Sequence, residues 1–409
     1  MLLAATVVAC DNLLEVDTPS RIPSATLERP ENAVLLVRSA IGDFDCAFGS
    51  YVVLGGLIGE ELIDATQTAD RFPYDRRDHQ PSDRRYAVND CEGLGVYTPL
   101  NTARASADNV LDLLQNEWTD EQVEDRDAMI ATAAAYAGYS LVLLSEGFCS
   151  AVVSGIDEGG NIVYGNEIDP NAVRSLALER FDIAITEGQA AGETDIVNMA
   201  RVGRARALLG LGRLADARTA AALVPVNFQA LSTASDISGR RQNRAWSQNN
   251  PGNRATSVGT PYRTLNDPRI PVQNTGQSSI TGVPLWLQLK YDAAGDPIPI
   301  ATYDEAQLII AEADIQAGNL ANATTIINTY RARGNQLPLV APTAQQLRDA
   351  LIDQRRRELF LESHHLGDVI RYNITLQPAA GMAYHGSGTY GNQKCLNLPN
   401  VERQNNPNI

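Results

Sequence analysis

The chain has 409 residues, 44% hydrophobic and 20% charged, enough apolar material for a packed core and too much for global disorder. Lys and Arg number 33 against 49 Asp and Glu, and the net charge of −16 repels phosphate backbones and anionic lipid, which argues against a nucleic-acid partner and for a neutral ligand. No run of about 18 apolar residues occurs, so no stretch reads as a membrane-spanning helix.

Residues 1–10, MLLAATVVAC, form an apolar stretch that resembles the lipobox of bacterial lipoproteins. In that reading Cys10 is acylated and becomes the mature N-terminus, and the small Ala9 suits a signal peptidase. The Lys or Arg that normally precedes such a stretch is missing, and a short N-terminal strand or helix is the plainer alternative. Residues 11–30 are polar and contain proline, as a tether would, and residues 31–409 read as one mainly α-helical domain.

Apolar residues recur at helical spacing over 31–45. Residues 66–92 are almost wholly polar and read as a long loop carrying isolated aromatics. An amphipathic helix is expected over 101–117. Thr119 with Gln122 forms a capping-box pattern that would open a helix running to about 147. Asp169 followed by Pro170 is an N-cap with proline at the first helical position, and a further helix pair covers 193–223. Residues 237–300 are rich in Asn, Gly, Pro, Ser and Arg and show no helical period. They read as a large irregular insertion, of the kind that is often functional. Helices resume at Thr302 and at Thr343, each with a capping pattern to Glu305 and Gln346. The last helix is expected over 343–366, and a loop-rich tail follows.

The pattern Gly-[Arg/Asn]-Leu-Ala-[Asp/Asn]-Ala occurs at 212–217 and again at 318–323. A glycine that ends one helix, followed by two alanines that let the next pack closely, looks like the turn of a tetratricopeptide (TPR) repeat. The fold is therefore expected to be a TPR-like helical-repeat scaffold, with the insertion lying between two repeats.

The remaining cysteines are Cys46, Cys91, Cys149 and Cys395. Four allow three pairings, and an exported chain would oxidise them. Cys46–Cys91 would close a polar loop, and Cys149–Cys395 would tie the tail to the body; four free buried thiols are the alternative. The absence of any Cys-x-x-Cys argues against a zinc finger.

Over 355–372, RRRELFLESHHLGDVIRY, a helix would place Arg355 and Arg356 inside apolar rows. Arginines there must snorkel or pair with carboxylates. Glu358 and Glu362 one turn on, or Glu305 and Glu312 of the preceding repeat, are the expected partners. Adjacent His364 and His365 diverge on a helix and do not make a metal site.

These residues resemble the SusD/RagB family of outer-membrane lipoproteins. The shared pattern is carried by Arg355, Arg356, Glu358, Leu359, Glu362, Asp368 and Arg371, with His365 standing where the family has arginine. Asp267-Pro268-Arg269, the start CDNLLEVDTPS and the ending CLNLPNVERQNNPNI are similar to family elements as well. The resemblance implies an α-helical lipoprotein on the cell surface. Its partner would be a SusC-like TonB-dependent transporter, to which it delivers captured oligosaccharide, or peptide as RagB-like members do. A TPR-type lipoprotein that only organises other envelope proteins is the alternative from another class. No enzymatic activity and no cofactor is implied, and the sequence holds no Gly-x-Ser-x-Gly, His-Glu-x-x-His or P-loop motif. Glu60, Glu61 and Asp64 could be imagined as a glycosidase pair, but such acids are usually only solvated. Sugar capture uses aromatic faces and planar polar groups, for which the candidates are Trp246, Tyr262, Trp286 and Tyr291 in the insertion and Phe72, Tyr74 and Arg76 in the 66–92 loop. Each could instead anchor its loop on the scaffold. Trp118, before a helix cap, reads as a staple.

Overall fold

The computed structural model describes residues 24–157 and 161–409; Cys10, the lipobox and most of the tether lie outside them. The architecture is mainly helical. Helices α1 (Ala33–Ile58), α2 (Tyr97–Asp112), α3 (Arg126–Gly147), α4 (Pro170–Ala191), α5 (Thr194–Gly210) and α6 (Leu214–Ala221) pack each on the next. After the insertion come α7 (Tyr303–Ala317), α8 (Leu320–Arg333), α9 (Ala344–Glu358) and α10 (His365–Arg371). Helix α7 packs on α6, so the repeat array continues across the insertion.

The turn glycines behave as the repeat requires. Gly212 and Gly318 have φ of 72° and 82°, the left-handed region where a side chain is strained. Of the alanines that follow, Ala217 and Ala323 are fully buried, whereas Ala215 and Ala321 face solvent. One alanine per turn, not two, sets the close approach.

Helices α1 and α3 are long and apolar enough to cross a membrane, yet 83% of each apolar window is buried inside the protein. They are the central core helices. Phe44 and Phe48 of α1 stack at 5.4 Å, and Phe44 meets Tyr136 of α3 edge-on at 5.2 Å. Gly138 of α3 and Gly203 of α5 both lie against the ring of Phe181, where an added Cβ would come within 2.7 and 2.3 Å of ring carbons. Trp118 is packed into the same core.

Several boundaries depart from the sequence pattern. Helix α1 runs on to Ile58, and its end takes in Gly55 and Gly56. Gln122 accepts from the Thr119 backbone N–H at 2.9 Å, but the segment only turns there; Asp125 adopts φ 53° and α3 starts at Arg126. Asp169 caps α4 through Asn171 and Ala172. Thr343 and Gln346 form a complete capping box. Thr302 caps α7, but Glu305 does not return to it, because its carboxylate faces His364 at 3.2 Å. The expected 343–366 helix breaks after Glu358. Leu361 and Ser363 take φ of 55° and 73°, and α10 starts afresh at His365.

That break redistributes the ion pairs. Arg355 is buried and donates Nε to Asp368 at 2.7 Å, across the break rather than to Glu358 or Glu362. Arg371 pairs with Asp368 at 3.0 Å and with Glu312. Glu358 takes Arg269 and Arg333, and Glu362 takes Lys290 at 2.6 Å. Arg356 is half-exposed and pairs with Asp353. Buried Arg357, which lies in neither apolar row, donates to Asp267 at 3.1 Å, joining α9 to the Asp-Pro-Arg element.

Cys46 and Cys91 are bonded, with Cα atoms 5.6 Å apart, and so are Cys149 and Cys395, at 5.2 Å.

Candidate ligand-binding surface

The insertion is less detached from the scaffold than its composition suggests. Its strand Thr256–Val258 pairs with Leu62–Asp64, and its hairpin Val272–Ser278/Pro284–Gln288 lies beside that pair. Ala245, Val258, Tyr262, Ile270, Tyr291 and Ile298 all enter the main core. The helices therefore do not close their core without it.

This packing divides the seven candidate residues. Tyr262 is fully buried, tilted on Phe360 at 5.0 Å. Tyr291 is buried and donates its hydroxyl to the Leu361 carbonyl at 3.1 Å. Tyr74 is fully buried against Tyr86 and His79. No ligand can stack on these three rings; they anchor their loops, and the expectation that they line a ligand surface is corrected. Trp246, Trp286, Phe72 and Arg76 are half-buried and keep solvent-facing surface.

The two tryptophans are held on a hydrogen-bonded frame. Trp246 sits on the short helix Arg244–Gln248, capped by Asn243. Fully buried Asn249 then donates to the Thr256 carbonyl at 2.7 Å and the Trp286 carbonyl at 3.1 Å, and accepts from the Gln288 N–H at 2.6 Å. One amide thus fixes the segments bearing both tryptophans. Arg71 spans from the 66–92 loop to Gln248 at 2.9 Å, with Thr66 and Thr68 on its other nitrogen. The two loop regions are therefore joined through Arg71 and Gln248. The Arg76 guanidinium lies 5.4 Å from the Phe72 ring, and Arg263 lies 5.9 Å from Trp286. Sequence reasoning missed Arg71, Gln248 and Asn249; the amide run Gln248-Asn249-Asn250 two residues after Trp246 was the available signal.

The surface is open rather than enclosed. A cleft of about 400 Å³ lies between residues 81–88 and 399–404, and none of the seven candidates lines it. A shallow aromatic surface can receive the flat apolar face of a sugar ring while leaving most hydroxyls in water.

The acids of the 54–64 stretch are structural, and two of them are buried rather than solvated. Glu61 accepts from the Leu361 N–H at 2.8 Å, and Asp64 accepts from the backbone of Thr66 and Gln67. Burial pushes the Glu61 carboxyl up from 4.5 to about 8. A raised folded value means that Glu61 favours the fold fully below pH 4.5 and loses that contribution as pH climbs to about 8. Glu61→Gln keeps the acceptor for Leu361 and removes the ionisation. Urea midpoints are expected to fall between pH 5 and 8 in the parent, with stability dropping by up to about 1.4 kcal/mol per pH unit, and to fall less in Glu61→Gln. Parallel declines in the two proteins would refute this. His364 and His365 diverge as expected: His364 faces Glu305 and Arg206, while His365 meets Tyr262 edge-on, its pKa lowered by burial to about 4.

Residues 286–408 match the model of the SusD family. The fold agrees along the chain. A SusD superfamily protein from Bacteroides vulgatus superposes with TM-score 0.71 at 13% identity, covering 92% of this chain and 97% of its own. The fold is SusD-like. A SusD superfamily protein from Parabacteroides distasonis gives TM-score 0.71 at 13% identity, covering 95% of this chain and 98% of its own. A SusD-like carbohydrate binding protein from Bacteroides vulgatus gives 0.68 at 14%, covering 93% and 97%. No curated protein matches the sequence. The SusD-like region begins at Trp286 and includes α7–α10, so the arginine-rich α9 falls within it.

Proposed function

We propose that this SusD-like protein captures a neutral oligosaccharide on the surface formed by Trp246, Trp286, Phe72 and Arg76, and performs no chemistry on it. The observation that carries this reading is the frame itself: two tryptophans that pack on the core yet keep solvent-facing surface, held by a buried asparagine at the junction of two loop regions, on a SusD fold. Loops pinned only for stability would bury these rings, as they bury Tyr262 and Tyr291. Burial of Glu61 and its bond to Leu361 argue against a glycosidase carboxylate there. In the full proposal residues 1–10 are a lipoprotein signal, Cys10 carries lipid, 11–30 tether the chain to the outer surface of the outer membrane, and 31–409 form one domain. A SusC-like TonB-dependent transporter then receives the sugar.

Trp246→Ala and Trp286→Ala are each expected to weaken oligosaccharide binding by about 1–3 kcal/mol, read by titration calorimetry, with the melting temperature nearly unchanged. Unaltered affinity in both, or unfolding of both, would move the binding surface elsewhere.

A further inference from the structure

A second cavity, of about 130 Å³, lies far from the tryptophans in sequence and shares no residue with the insertion. It is enclosed by the end of α3, the start of α4, α5, α9 and α10. Four arginines line it: Arg174, Arg206, Arg355 and Arg371, with Glu146 and Asp368 between them.

The carboxylates that line it, Glu146 and Asp368, are already engaged. Arg206 holds both oxygens of Glu146, at 2.9 and 2.6 Å. Asp368 receives Arg355 and Arg371, and Glu312 receives Arg371; Glu305, outside the lining, lies 3.2 Å from His364 and 3.9 Å from Arg206, with neither oxygen in a hydrogen bond among the described residues. Arg174 is left with neutral acceptors, the Asn171 side chain at 2.9 Å and the Ser145 carbonyl at 3.1 Å. Arg355, only 4% exposed, has an Nη1 sealed from solvent with no hydrogen-bond partner among the described residues. The place of Arg174 is also built for it. A Cβ on Gly210 would stand 2.5 Å from the Arg174 Nε, so only glycine at the end of α5 lets that guanidinium lie there.

We propose that this cavity binds a small oxyanion, of the phosphate or carboxylate class, between the guanidinium groups of Arg174 and Arg355. Planar guanidinium forks match such anions, and burial strengthens the contact. The anion would complete a junction where α4, α5, α9 and α10 meet, and it is independent of the sugar surface.

The test is calorimetric titration of the full chain with inorganic phosphate and, separately, with acetate, at ionic strength fixed by chloride. Saturable binding of at least one is expected; the two arms separate a phosphate site from a carboxylate site. Arg174→Gln should weaken the bound probe at least about tenfold, which is about 1.4 kcal/mol, and Arg174→Lys should restore part of the loss. Gly210→Ala, whose methyl displaces the Arg174 guanidinium, should weaken it similarly with no change of charge. Absence of saturable heat with both probes, or equal affinity in the parent, Arg174→Gln and Gly210→Ala, overturns the proposal and leaves a water-filled cavity.

Discussion

Replacing Arg355 by methionine is expected to lower the unfolding free energy by about 3–5 kcal/mol, the cost of removing one partner of a buried ion pair; Asp368 is then left with Arg371 alone. Arg355 and Asp368 have side-chain exposures of 4% and 7%, and their 2.7 Å bond crosses the break between α9 and α10. Burial alone would raise the Asp368 carboxyl; Arg355 and Arg371 outweigh it and hold the group at about 2. With the folded value depressed, this contribution is present above pH 3.8 and is lost as pH falls towards 2. The variant should therefore lose part of the parent's acid-side slope as well as stability. The double variant Arg355→Met/Asp368→Leu should recover part of the loss, because no buried carboxylate is then left short of a partner and Arg371 keeps Glu312. Chemical denaturation checks both. A single variant within about 1 kcal/mol of the parent, the scale of an exposed pair, would contradict the account.

Cys149→Ser/Cys395→Ser is expected to cost about 2–5 kcal/mol. This bond spans 246 residues and Cys46–Cys91 spans 45. The two loops do not overlap, so their chain-entropy contributions are separable. Loop closure grows by about 0.6 kcal/mol per doubling, which puts the longer bond about 1–2 kcal/mol ahead. The tail it ties is already stitched to the body: the Leu396 N–H donates to the Gly147 carbonyl at 2.8 Å, the Cys149 N–H donates to the Leu396 carbonyl at 2.9 Å, and Leu396 and Leu398 are buried. Removing the bond should loosen this tail first, seen as faster amide exchange at Leu396 and Leu398. Denaturation midpoints of the two double-serine variants give the order, and a larger loss from Cys46–Cys91 would contradict it.

Local chemistry made much of the scaffold legible before any coordinates. Asp169 before Pro170 and Thr343 before Gln346 mark helix starts because their signals lie within one turn. The paired Gly-x-Leu-Ala-x-Ala turns announced the repeat because only glycine is comfortable at the φ of Gly212 and Gly318. An arginine in an apolar row announced that Arg355 is buried and paired, but its partner depended on the break at Leu359–His364. That break rests on left-handed Leu361 and Ser363, residues whose chemistry gives no local sign of it; the Leu361 N–H is held by Glu61, 300 positions away in sequence. The binding surface was half legible. Aromatics in polar loops look alike in sequence whether they face solvent or core, and only tertiary packing separates Trp246 and Trp286 from Tyr262 and Tyr291.

The central claim is capture of a neutral oligosaccharide without turnover. It is tested most directly by incubating the folded chain with an array of neutral oligosaccharides and short peptides, and analysing the bound fraction for cleavage. The account predicts that neutral glycans of several sugar units are retained, are recovered intact, and lose retention when Trp246 and Trp286 are both replaced by alanine. Retention of peptides instead of glycans, recovery of cleaved sugar, or retention indifferent to both tryptophans would contradict it.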